Sequence, residues 1–164
     1  MTIKSLHDLF VHELSDIYSA EKQMSKALPG LARASTNERL KEAFETHLEE
    51  TREQIHRIDQ IVDMGNVKLK RIKCLAMEGL VDEGKEIISE VEKGAVRDAA
   101  LIGAAQKVEH YEIASYGTLC ALAKKLGFKD ELKLLLITLE EEKSTDEKLT
   151  VLAKSETNPE AAAV

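Results

Sequence analysis

Four long stretches of the chain repeat their apolar residues at helical spacing, and the gaps between these stretches are unequal. The first runs from about Ser5 to Ala34, with Phe10, Leu14, Ile17, Met24 and Leu28 in one row. The second starts at Asn37, a residue suited to a helix cap. It carries Leu40, Phe44, Leu48, Ile55, Ile58 and Val62 before Met64-Gly65 ends it. A third spans about Val96 to Leu126 and closes at Gly127, and a fourth spans about Asp130 to Lys154. A shorter helix is expected around Met77 to Glu92. Ser5 with Asp8 has the form of a capping box, and Pro29-Gly30 should kink or break the last third of the first helix.

The gaps carry the topology. Short turns join the first helix to the second and the third to the fourth, so each pair should form an antiparallel hairpin. Roughly thirty residues, including "NVKLKRIK" and the short helix, separate the two hairpins. The expected fold is therefore all-α: an antiparallel four-helix bundle of ferritin-like type, with one long crossover carrying an extra short helix. Five irregularly packed helices are the alternative. Residues 1–154 form the expected domain, and "SETNPEAAAV" leaves residues 155–164 as a flexible tail.

Composition agrees. Aromatics are only 4% of the chain, there is no Trp, and Ala, Leu, Glu and Lys abound, as suits helices rather than strands. The net charge of −7 argues against nucleic-acid binding, because "KLKRIK" is a single short basic segment. No apolar run nears the ~20 residues of a membrane span. The N-terminus lacks a signal-peptide core, and Cys74 and Cys120 form no CxxC pair and read as small buried hydrophobes. A cytoplasmic protein is expected.

The informative residues are polar ones inside the apolar stripes. At about 100° per residue, Glu112 lies within about 20° of the apolar direction of the third helix and Glu109 within about 40°. Glu142 and Asp146 fall close to the apolar row of the fourth helix, whereas Glu141 points away. Glu21 sits in the row of the first helix. On the second, His47 and Thr51 lie near the core, with Gln54 and then Glu50 towards its edge. Glu21, Glu50, Glu109, Glu112 and Glu142 all lie about halfway along their helices, and midpoints meet in an antiparallel bundle. Burying several carboxylates together costs several kcal/mol per ion unless they are protonated, paired, hydrated or bound to cations. Two divalent cations would balance four of them, as in dinuclear sites built inside helix bundles.

The histidines divide. Glu53-Gln54-Ile55-His56 is the only literal Glu-x-x-His, but its Glu and His lie opposite the apolar row. His47 is either a metal ligand or a core histidine bonded to a carboxylate. His110 points about 100° away from its neighbour Glu109 and is expected to pack or to support the site from outside. Tyr18, Tyr111 and Tyr116 read as core, with Tyr116 suited to bond a carboxylate.

The stretches "LFVHELSDIYSAEKQM", "HLEETREQIHRID", "AAQKVEHYEIASYGTL" and "LEEEKSTDEKLT", with "CLAMEGLVDEG" between them, resemble the YciF-like bacterial stress proteins. The resemblance covers nearly the whole chain. It implies a ferritin-like, rubrerythrin-related fold, a cytoplasmic homodimer, and a stress-induced protein without an established reaction. In rubrerythrin-like relatives the helices supply Glu, Glu-x-x-His, Glu-x-x-Glu and Glu-x-x-His in order. Glu21 matches the first and Glu109 with Glu112 the third. Glu50 and Glu142 match only the Glu of the other two, since position 53 is Glu and position 145 is Thr.

Together these readings predict a stress-associated di-metal carboxylate protein acting on peroxide or dioxygen, or handling iron. Glu21, Glu50, Glu109, Glu112 and Glu142 would hold two divalent ions, Fe or Mn, with His47, Gln54 and Asp146 in further or supporting roles. A non-catalytic dimeric stress protein that keeps the bundle is the alternative.

Overall fold

The computed structural model describes residues 2–65 and 67–164. Met1 and Asn66, the first residue of the expected connection "NVKLKRIK", lie outside the described residues. The chain is all-helical, as its composition implies, with no strand among the described residues. The elements are α1 (Leu6–Ala34), α2 (Glu38–Gly65), α3 (Leu75–Glu90), α4 (Ala95–Leu126) and α5 (Lys129–Leu152), then a π-helical turn (Ala153–Thr157) and α6 (Asn158–Ala162).

Local chemistry sets the helix ends. Ser5 Oγ accepts from Asp8 N at 3.0 Å to start α1, and Asn37 Oδ1 accepts from the amides of Arg39 and Leu40 to start α2. Gly127, with φ of +75°, takes the left-handed conformation that ends α4 at no side-chain cost. Of the kink or break expected at Pro29-Gly30, the break does not occur. α1 continues through it and ends at Ala34. Pro29 removes a single donor, while Leu28, Leu31, Ala32 and Ala34 around it are buried and hold the last turns in place by packing.

Four long helices surround one core. α1 packs along α2, α4 along α5, α1 on α4 and α2 on α5, and α3 lies against α1 and α4. Bonds from α2 to α5 and to the π-helical turn that continues it show their opposed directions: Arg39 meets Glu156, Glu50 meets Thr145 and Gln54 meets Glu142. α1 and α4 are opposed too, because Asp98 in the first turn of α4 meets Thr36 and Asn37 just beyond the end of α1. Phe10, Leu14, Ile17, Leu40, Ile58, Leu101, Leu119 and Leu135 are fully buried between them. Each contributes about 1.5–3 kcal/mol relative to exposure. On α2 the inner row passes through Ile61 rather than the expected Val62, which is half-buried.

Residues 67–74, which lead into α3, lie beside α1. Ser15 Oγ accepts from Lys70 N at 3.0 Å, Ser19 Oγ accepts from Cys74 N at 2.9 Å, and Gln23 donates to the Cys74 carbonyl. Both cysteines are free and buried. The C-terminal segment expected as a flexible tail is helical to Ala162. It is held because Thr157 is buried and Glu156 accepts from Asn37 Nδ2 and pairs with Arg39, contacts that a polar composition does not announce.

Candidate metal centre

α2 buries polar residues in the middle of its inner row: His47, Thr51 and Gln54 are each 2% exposed or less. Glu21 of α1, Glu109 and Glu112 of α4, and Glu142 of α5 face the same level and are equally buried. Each occupies a position where helical spacing would put Leu or Ile, so the four helices bring an apolar core to a polar middle layer.

His47 stands at the centre. Its Nδ1 is 3.2 Å from Glu50 Oε2, and its Nε2 is 3.2 Å from Glu109 Oε1 and 3.9 Å from Glu142 Oε2. The Nε2 contact with Glu109 has the distance of a hydrogen bond but not its angle, so Nε2 stands unpartnered among the described residues. One ligand atom from each of His47, Glu109, Glu112 and Glu142 lies within 4.8 Å of all the others. Glu21 approaches from the α1 side and takes a hydrogen bond from the Tyr116 hydroxyl. Glu50 is at the rim, its side chain 26% exposed, held by His47 and by Thr145 Oγ1 at 3.3 Å. Gln54 donates to Glu142 and Glu141, and Arg57 forms a two-point ion pair with Glu141.

Burial and mutual repulsion dominate the electrostatics. Burial lifts the Glu21 carboxyl to about 7, against the Tyr116 hydrogen bond that favours its charge. Burial, with the charges of Glu21, Glu142 and Glu109, pushes Glu112 well above the carboxylate range. Glu142 moves the same way, through burial and then Glu109. For His47 burial works downwards, but the Glu109 charge, with Glu50 and Glu142, carries it well above its ordinary value. The hydrogen bond from His47 holds Glu50 below the usual range despite some burial.

A cation fits this donor set. Both oxygens of Glu112, one oxygen each of Glu21, Glu109 and Glu142, and His47 Nε2 are buried without a hydrogen-bond partner among the described residues. Orphaned buried acceptors are costly, and oxygen atoms with one imidazole nitrogen are ligands that Fe, Mn or other divalent ions accept.

Of the residues expected at the site, Glu21, Glu109, Glu112, Glu142, His47 and Gln54 are brought together inside, and Glu50 joins them at the rim. Asp146 is directed elsewhere, to Gln106 Nε2 at 3.2 Å and to His110 at 3.2 Å on the outer surface. Thr145 takes the inner position instead, because the inner row of α5 runs Leu135, Thr138, Leu139, Glu142, Thr145 and Leu149. Glu53 and His56 are exposed, as their phase implies. Sequence reasoning missed Arg57 and the part played by Glu141. They flank the inner rows of α2 and α5, and only a cross-helix view pairs them. Tyr111 bonds Asp16 and lies 3.0 Å from Cys74 Sγ, apart from this cluster.

Comparison with known proteins supports the resemblance read from sequence. The family described as Domain of unknown function (DUF892) matches residues 5–162. Protein YciF of Escherichia coli is 60% identical over 162 residues, 98% of each chain. The crystal structure of that stress protein aligns with a TM-score of 0.92 at 61% identity, covering 95% of this chain and 99% of its own. YcfI of Rhodopseudomonas palustris, described as a candidate structural protein, gives a TM-score of 0.87 at 44% identity over 90% of this chain and 94% of that one. A protein of Xanthomonas campestris shares the fold, with a TM-score of 0.72 at 22% identity over 92% and 91% of the two chains.

Proposed function

The chain belongs to the DUF892 family of YciF-like proteins, and from that premise we propose that it is a ferritin-like four-helix bundle holding a divalent-metal centre. The two hairpins would be α1–α2 and α4–α5, with α3 carried by the crossover between them. Two ions, Fe or Mn, would sit among Glu21, Glu109, Glu112, Glu142 and His47, with Glu50 closing the rim and Gln54 orienting Glu142. The observation that carries the reading is the set of buried, unpartnered carboxylate oxygens and His47 Nε2 at one level.

Such ions supply redox chemistry towards peroxide or dioxygen, or a place to take up iron. The chain's own part is to supply hard oxygen ligands, to exclude bulk water and to keep a proton donor, Tyr116, on Glu21. The protein would act in stressed cells as a cytoplasmic homodimer, without nucleic acid or membrane as partner. No described helix is long and apolar enough to cross a membrane.

Metal analysis tests the reading. Protein purified anaerobically with iron or manganese should carry near-stoichiometric metal, and Glu112→Ala should lose it. A chain that takes up neither metal, with unchanged stability in their presence, overturns it. A second reading is a structural bundle without chemistry, favoured by the Gln54–Glu142 bond and by Thr145 standing where relatives of the wider fold carry His. Stability insensitive to metal removal would support it.

A further inference from the structure

A groove leads along the seam of α2 and α5 to the centre. The seam is bridged at one end by Asn37 and Arg39 on Glu156, and beyond the other end by Gln54 and Arg57 on Glu142 and Glu141. Between Arg39 and the Glu50–Thr145 contact it opens into a cavity of about 500 Å³. The cause is local: the small residues Ala43 and Ser144 line the seam, and α4 presents Ala105 from below, with Glu109 at the inner end. Eleven residues of helical rise make this stretch about 16 Å long.

The floor is apolar. Met24, Leu28 and Leu31 of α1, Phe44 of α2, and Leu149 and Leu152 of α5 line it, and all six are buried residues with a face open to the groove. The inner end is polar, formed by His47, Glu50, Glu109 and Thr145. Lys148 lines the same end and is close enough for its charge to act on Glu50. His47 Nε2 and one Glu109 oxygen have no hydrogen-bond partner there among the described residues. An apolar floor with convergent polar groups at its inner end, under an exposed rim that carries Arg39, Glu42, Thr46 and Glu147, describes a small-molecule site. A volume of about 500 Å³ spread along a stretch of about 16 Å makes an elongated space, which suits an unbranched chain better than a ring system.

We propose that this groove binds a medium-chain fatty acid, its tail along the Leu28–Phe44–Leu149 floor and its carboxylate at the His47–Glu50–Glu109 end. The position of the head group rests on the metal reading, since divalent ions together with Lys148 supply the positive charge that a carboxylate beside Glu50 and Glu109 requires. The tail rests on the groove alone.

Calorimetric titration of decanoate, below its micelle concentration, into the full metal-loaded chain tests this. Saturable binding near one per chain is expected. Butanoate should bind at least about tenfold more weakly, since each buried methylene contributes about 0.8 kcal/mol. Ala43→Phe and the rim variant Ser144→Leu should each weaken decanoate about tenfold or more by filling the groove, with metal content unchanged. Absence of saturation by loaded protein overturns the proposal. So does equal affinity for butanoate, or unchanged affinity in a folded, metal-bearing variant. Should the chain take up no metal, the metal reading fails by itself. Decanoate binding to that metal-free chain, lost in Ala43→Phe, still supports the groove, and no binding there overturns the groove as well.

Discussion

His47 carries the positive charge at the centre of four buried carboxylates, touching Glu50 and Glu109 through its two ring nitrogens. Its raised pKa keeps it protonated near neutral pH in the metal-free protein, where it stands in for part of the missing cation charge. Removing one partner of a buried ion pair leaves the other uncompensated, at a cost of about 3–5 kcal/mol. His47→Gln should therefore destabilise the metal-free protein by about that amount in urea unfolding at pH 7, and added metal should restore much of the loss. An unchanged midpoint would mean that the carboxylates around it are already neutral. Glu112 predicts the opposite sign. Neither of its oxygens has a hydrogen-bond partner among the described residues, and burial already favours its neutral form. Glu112→Gln keeps the shape and removes the ionisable group, so metal-free protein at pH 8 should gain about 1 kcal/mol while metal binding falls. Thermal unfolding with and without chelator separates these effects.

At the scale of elements, the first turn of α4 anchors the start of α2. Asp98 is 1% exposed and accepts from the amides of Thr36 and Asn37, both at 2.8 Å. These are donors that precede a helix and have no partner within it. Asp98→Ala should cost about 1–3 kcal/mol, with Asp98→Asn recovering part, as read from chemical unfolding of the two variants. Helix existence and pairing were legible in the sequence because long amphipathic rows and unequal gaps state them directly. The inward direction of Glu21, Glu109, Glu112 and Glu142 was legible for the same reason, since helical phase is nearly rigid over three turns. What the sequence hid depends on small rotations and on partners across the seam. Asp146 and Thr145 differ by one position, and the packing of α5 on α2 chose Thr145. Pro29 reads as a breaker, yet packing around the last turn of α1 outweighs one lost hydrogen bond. The C-terminal segment looked unanchored because its holding residues, Asn37 and Arg39, lie at the far end of the chain.

For the whole molecule, the polar layer couples stability to pH and to metal. Glu21 titrates near 4.5 in an unfolded chain and about 7 in the fold, and Glu112 and Glu142 move in the same direction. Between those values the folded state holds protons that the unfolded state has released, so stability falls as pH rises from about 4.5 to 7. His47 acts with the same sign: its raised pKa stabilises the fold below 6.5 and loses that contribution as pH climbs through the folded value. Glu50, held low by His47, works the other way, but its contribution is lost only in acid, below its ordinary value of 4.5. The metal-free protein should therefore have its highest melting temperature near pH 5 and lose stability steadily towards pH 8. Metal reverses the slope, because ions bind the deprotonated carboxylates and compete with the same protons. The gap in melting temperature between metal-loaded and chelator-treated protein should widen from pH 5.5 to pH 8. Scanning calorimetry at both ends of that range measures it. A gap that stays constant with pH would place metal uptake away from Glu21, Glu112 and Glu142, whatever the stoichiometry found.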